Sequence, residues 1–170
     1  MQKLDRQALV DVYEENSPGL YRYAFRLLGN QDTAEECVSE TFSRFLQAVQ
    51  QGKGPTDNVR AYLYRTAHNW VIDQYRQQPL PPLELDENLH ADSADNPSSA
   101  VARNQIRNHV RAALLRLPAD QRQVMQLRFF ENWSHDEVAA AIGKSIEATR
   151  ALQHRAMQAM RRMLLEKEEA

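Results

Sequence analysis

Sulfur chemistry is nearly absent from this 170-residue chain: Cys37 is its single cysteine, so no disulfide can form within it. The neighbours Ala34, Val38 and Thr41 suit a small buried filler rather than a redox centre. Long apolar runs are also missing, with none reaching beyond a handful of residues, and the N-terminus lacks the basic start, apolar core and small-residue cleavage site of a secretion signal. No membrane insertion is expected, and the cytoplasm is the expected compartment. The five histidines show neither H-x-x-x-H nor paired-cysteine spacing, so no metal and no cofactor is expected. Ser134, His135 and Asp136 stand side by side, but adjacent residues on a helix point about 100° apart and cannot converge as a triad. No catalytic residue is assigned, and the chain is not read as an enzyme. With few glycines, no repeat and 42% hydrophobic residues, ordinary helical structure in one or two small domains is what remains.

A strong net charge is missing too, at −2, but the charges are unevenly spread. Residues 1–79 carry nine basic and ten acidic side chains, 80–100 none and five, and 101–170 twelve and eight, so the C-terminal part is at +4 and the middle is purely acidic. Each phosphate neutralised contributes through counterion release, and an excess this modest implies weak DNA affinity unless a second DNA-holding partner assists.

What is present is a helix-turn-helix pattern. Ser134 and Glu137 form an S-x-x-E capping box, Ala139 lets a second helix cross closely, Gly143 suits a left-handed turn, and Ser145 caps the next helix. Beyond it Ile146, Leu152, Ala156, Met160, Met163 and Leu164 keep to one stripe, while Glu147, Arg150, Ala151, His154 and Gln158 form another. A recognition helix enters the major groove with its N-terminal residues, which makes Lys144, Ser145, Glu147, Arg150, Ala151, His154 and Arg155 the candidates for upstream DNA contact. A plain, well-capped helical hairpin is the bland alternative.

Periodicity organises the rest. Leu9, Val12 and Tyr13 predict a helix over 4–15, Ser17-Pro18-Gly19 a break, and Leu20, Tyr23, Ala24, Leu27 and Leu28 a second helix that Gly29-Asn30 stops. Asp32 opens a third, with Ala34, Val38, Thr41, Phe42, Phe45 and Val49 inward; after a loop over 52–58, residues 59–77 form a fourth, with Val59, Tyr62, Leu63, Thr66, Ala67 and Trp70 inward. From 79 to 99 the pattern collapses into four prolines and scattered acids, a linker. Helices then resume over 99–117 and from Pro118, the latter with Val124, Leu127 and Phe130 as its apolar side. The expected architecture is all-α: a helical domain over 1–79, an acidic linker over 80–98, and a helix-turn-helix domain over 99–170.

In this order the residues resemble a known family. The runs Leu20-Tyr21-Arg22-Tyr23-Ala24, Asp32-Thr33-Ala34-Glu35-Glu36-Cys37-Val38-Ser39-Glu40-Thr41-Phe42 and Arg60-Ala61-Tyr62-Leu63-Tyr64-Arg65-Thr66-Ala67-His68-Asn69, then Leu117-Pro118, Gln121-Arg122, Leu127-Arg128, Trp133-Ser134 and Glu137, are similar to the bacterial sigma factors of the extracytoplasmic-function group. The resemblance implies that the first domain docks on the clamp of core RNA polymerase and captures the minus-ten promoter element. The second would meet the polymerase flap and read the minus-thirty-five element. Promoter DNA is then the second partner, and an anti-sigma protein is a further partner that the resemblance leaves open.

Three residue sets fit those roles. Asp32, Glu35, Glu36, Ser39, Glu40 and Ser43 make a mostly anionic helical stripe that suits a basic partner, although a solvated face with acids near the helix N-terminus has the same pattern. Tyr64, Arg65, His68, Tyr75 and Arg76 turn away from the inward stripe of their helix and interleave rings with cations, as single-strand capture requires; with Arg60 they form the minus-ten set. Asp57 and Asn58 complete it: by resemblance their loop holds a flipped base, while turn chemistry alone also explains both. The recognition helix departs from the family pattern, with Glu147 for a usual Gly and Leu152 for a usual Arg; Glu147 either accepts from a cytosine amino group or simply favours the helix dipole. A stand-alone helix-turn-helix regulator with a ligand-sensing N-terminal domain is the rival reading, but no sustained heptad seam for a dimer helix is present.

Overall fold

The computed structural model describes residues 5–77 and 98–166; of the linker expected over 80–98, residues 80–97 lie outside the described residues and Ser98 opens a helix. Among the described residues there are seven α-helices and no strand: α1 Arg6–Leu28, α2 Gln31–Gln50, α3 Val59–Gln77, α4 Ser98–Arg116, α5 Ala119–Met125, α6 His135–Ile142 and α7 Ile146–Glu166. A π-helical turn, Gln126–Phe130, prolongs α5 and carries an i→i−5 bond from the Glu131 N–H to the Gln126 carbonyl. None of these helices is long and apolar enough to cross a membrane.

The break expected at Ser17-Pro18-Gly19 does not occur. α1 runs straight through Pro18, which lacks the N–H that would close one backbone bond. Tertiary burial overrides a local cost of about 3 kcal/mol, because Leu20, Tyr23, Ala24 and Leu27 beyond the proline are all fully buried while Leu9 and Val12 before it pack on the same core. Gly19 serves a different purpose from a turn: a Cβ there would lie 2.2 Å from the Tyr64 hydroxyl, so its absence lets α1 approach α3. α1 does end where expected, at Gly29 in the left-handed region (φ 69°), and Asn30 caps α2 by accepting from the Thr33 N–H at 3.0 Å.

The apolar interior is continuous across both halves of the chain. Leu20, Leu27, Phe45, Leu63 and Trp70 from α1–α3 and Leu114, Val124, Leu127, Trp133, Val138 and Met160 from the C-terminal half belong to one cluster of buried side chains. Two arginines tie helix ends across it. Arg111 on α4 donates to the Arg26 carbonyl at the end of α1 (3.0 Å) and lies where a Gly29 side chain would project. Arg122 on α5 donates to the Leu114, Leu115 and Leu117 carbonyls at 2.8, 3.0 and 2.6 Å, satisfying the orphan acceptors at the end of α4. Phe130, expected on the apolar side of α5, is instead 39% exposed, because the π turn rotates it outward under the Arg26 guanidinium, 4.3 Å from the ring centre.

Replacing Arg122 by Ala leaves those three carbonyls without their charged donor, and the unfolding free energy should fall by about 2–4 kcal/mol in urea titration. Arg122→Lys should recover only part of the loss, because one ammonium cannot reproduce the planar fork.

Candidate nucleic-acid and polymerase surfaces

The helix-turn-helix forms with the local chemistry that its residues dictate. Ser134 Oγ accepts from the Glu137 N–H and Glu137 Oε1 accepts from the Ser134 N–H, both at 3.1 Å, so the capping box is complete. These backbone and side-chain donors, the Ser134 N–H first, hold the Glu137 carboxyl below the usual carboxylate range. Gly143 takes φ 70°, and Ser145 Oγ accepts from the Ala148 N–H at 3.1 Å to start α7. Lys144 pairs with Asp120 at 3.3 Å. Glu147, Arg150, Ala151, His154 and Arg155 are all exposed on the first turns of α7, with Thr149, Ala156 and Met160 buried beneath them. Ile146, expected in the inward stripe, is 37% exposed, and the buried position of that first turn belongs to Thr149, whose hydroxyl donates to the Ser145 carbonyl at 2.8 Å. Sequence reasoning also missed a brace between the two helices, His135 Nε2 with Gln153 Oε1 at 2.8 Å.

On α2 the anionic stripe is where the periodicity places it. Asp32, Glu35, Glu36, Ser39 and Ser43 are exposed, and Glu40 is half-buried beside Arg44 at 3.1 Å. The opposite face buries Ala34, Cys37, Val38, Thr41, Phe42 and Phe45. Burial pushes the Cys37 thiol up to about 12, so it stays protonated and inert.

α3 differs from the expectation. Arg65 and Arg76 are exposed, Arg76 facing Asp73 at 3.6 Å, and both border a cleft of about 470 Å³ between α3 and α5–α6 that His68, Asn69 and Asp120 also line. Tyr64 and His68, however, are buried rather than turned to solvent, at 5% and 2% exposure. Tyr23 of α1 meets both rings edge-on, and the rest of their cover comes from the C-terminal half, which the periodicity of α3 alone cannot reveal. Trp133 meets Tyr64 edge-on, ring centres 4.9 Å apart, and Arg122 reaches to 3.4 Å of His68 Nε2. Arg60 lies over the Trp133 ring at 3.9 Å and pairs with Glu137 at 2.8 Å. Tyr75 is half-buried, its hydroxyl donating to the Leu27 carbonyl. Asn58 is spoken for as well: its Oδ1 accepts from the Ala61 N–H at 3.0 Å, which is an N-cap. Asp57 is exposed in the preceding loop. Among the described residues no cluster of three or more His, Cys, Asp or Glu side chains is placed to hold a metal ion.

Burial, then the neighbouring Arg122 charge, hold the His68 imidazole down at about 4 against an ordinary 6.5, with Asp120 opposing. Between those values the unfolded chain binds a proton that the folded chain refuses, so stability declines as pH falls through that window, by up to about 3 kcal/mol. Thermal midpoints measured from pH 6.5 down to 4 should therefore fall less steeply for His68→Gln than for the parent chain, and equal slopes would contradict the assignment.

Comparison with known proteins accords with this geometry. The family model described as Sigma-70 region 2 matches residues 12–79, and that described as Sigma-70, region 4 matches residues 113–162. The chain is 27% identical over 154 residues to the RNA polymerase sigma factor YlaC of Bacillus subtilis, covering 89% of this chain and 88% of that protein. It is 28% identical over 159 residues to the ECF RNA polymerase sigma factor SigL of Mycobacterium tuberculosis, covering 91% and 88%. In fold it is similar to the sigma factor RpoE of Bartonella quintana, solved in complex with the anti-sigma factor NepR, with a TM-score of 0.58 and 22% identity over 94% of this chain and 95% of that one.

Proposed function

Because the chain belongs to the sigma-70 family, in its extracytoplasmic-function group, we propose that it binds core RNA polymerase and directs promoter-specific initiation of transcription, without chemistry of its own. In this reading residues 1–79 form the unit that docks on the polymerase clamp and takes the minus-ten element. Residues 80–98 link it to the unit over 99–170, which meets the flap and reads the minus-thirty-five element. The protein then works in the cytoplasm, where polymerase and chromosome are. An anti-sigma protein is a third proposed partner, on the analogy of the RpoE–NepR complex.

The observation that carries the reading is the free face of α7. Glu147, Arg150, Ala151 and His154 project exposed from its first turns, with no partner covering them among the described residues, over a buried floor of Thr149, Ala156 and Met160. Such a face reads base edges in the major groove, while the N-terminal end of α7 at Ser145 and the Arg155 side chain suit phosphates. Specificity is then a difference in binding, about 1–3 kcal/mol for each mismatched pair. The exposed acids of α2 supply the complementary face for a basic helix of the polymerase.

In vitro transcription with core polymerase on a promoter library should give initiation only when this chain is present. Arg150→Ala should weaken upstream-element binding by the complex about tenfold to a hundredfold in footprinting. Glu36→Lys should lower association with core polymerase in a pull-down while leaving the fold intact by circular dichroism. Unchanged footprints would remove Arg150 from the reading face, and undiminished association would remove the acidic stripe from docking.

A further inference from the structure

We propose that Glu147 is a specificity-determining residue of α7: its carboxylate selects a cytosine at the base pair beside the one that Arg150 reads, and disfavours the other bases there. The proposal rests on the reading that α7 enters the major groove. Before Glu166 at its far end, Glu147 is the only acidic side chain on α7, and it stands exposed in the first turn.

The fold gives this carboxylate nothing to hold. At the start of α6, Glu137 stands three residues after Ser134 and closes a capping box. Glu147 stands two residues after Ser145, and the position that would close the box belongs to Ala148, whose N–H donates to the Ser145 hydroxyl at 3.1 Å. Among the described residues Glu147 has neither a hydrogen bond nor an ion pair, and no ion pair joins it to Arg150 one turn on. What remains for it within the chain is the attraction of an exposed acid to the helix dipole, which salt screens.

Against DNA the same charge is costly unless it is answered. A duplex carries one negative charge for about every 1.7 Å of its axis, so a carboxylate pressed into the groove gives up water and meets repulsion. Only a donor on a base edge repays this, because an ionised carboxylate can accept and cannot donate. Guanine and thymine offer acceptors in the major groove, and adenine sets its N7 acceptor beside its N6 amino group. Cytosine presents its N4 amino donor alone. The order of preference at this position is therefore cytosine, then adenine, with guanine and thymine rejected.

The register follows from the helix. Glu147 and Arg150 lie on one face, about 4.5 Å apart along the axis, which is close to the base step of about 3.4 Å. Ala151, also exposed on that face, carries no side chain beyond Cβ and leaves the base edges room to approach. With Arg150 free to take guanine O6 and N7, the pair reads two neighbouring G·C base pairs, one through its cytosine and the other through its guanine.

The test is selection from a duplex library randomised over the upstream element, using core polymerase with the full chain and with its Glu147→Ala and Glu147→Gln variants. The parent chain should enrich cytosine about tenfold at one position, next to an enriched guanine. Glu147→Ala should flatten the cytosine position and leave the others as they were. Glu147→Gln should move it to adenine, whose N6 and N7 match a side-chain amide. The same cytosine preference in all three proteins would overturn the proposal, as would a loss confined to the neighbouring guanine, which would make Glu147 a brace for Arg150. A lowered thermal midpoint of Glu147→Ala with an unaltered cytosine position would assign the carboxylate to the helix dipole and overturn it as well. If the parent complex enriches no upstream sequence at all, α7 is not the reading helix and the proposed function falls with the proposal, whereas an enriched element indifferent to Glu147 removes this residue alone.

Discussion

Trp133 is where the two halves of the molecule meet, and most of the structure can be followed outward from it. Its N–H bonds back to the Leu127 carbonyl across the π turn, which fixes the exit from α5 and the entry to α6. Its carbonyl accepts from Arg128 at 2.7 Å, and its ring closes on Tyr64 and Arg60. The placement of α6, and through the His135–Gln153 brace the placement of α7, thus depends on one indole lodged against α3. Arg111 and Arg122 act as pins on either side, capping the ends of α1 and α4.

The sequence revealed what short-range physics controls. Capping box, turn glycine and second cap were readable at Ser134, Glu137, Gly143 and Ser145 because each depends on residues three or four apart. The stripes of α2 and the free face of α7 followed from a 3.6-residue period. Pro18 misled because local propensity points to a break, while the outcome was set by burial of Leu20, Tyr23 and Leu27 against partners far along the chain. Tyr64 and His68 misled for a related reason: the period of α3 does not tell that Tyr23 of α1, and Trp133 and Arg122 more than fifty positions later, will cover them. Of the candidate site residues, those of α7 and, Glu40 apart, those of α2 lie in the open, and those of α3 divide into Arg65 and Arg76 outside and Arg60, Tyr64 and His68 at the seam.

The same division shapes function. A weakly basic C-terminal half and an acidic α2 suit, in the proposed reading, a protein that gains its DNA affinity from a large partner. A seam rich in polar and aromatic groups holds Tyr64 and His68 of α3 in the interior, while Arg60, fixed by Glu137 and Trp133, stays exposed at its edge. In the proposed reading, selectivity arises in which base edges α7 accepts.

Small-angle X-ray scattering of the isolated chain in dilute solution addresses the closed seam most directly. Interdomain packing predicts a radius of gyration near the compact-chain value of about 15 Å, while a value well above about 20 Å, that of two lobes apart, would contradict it.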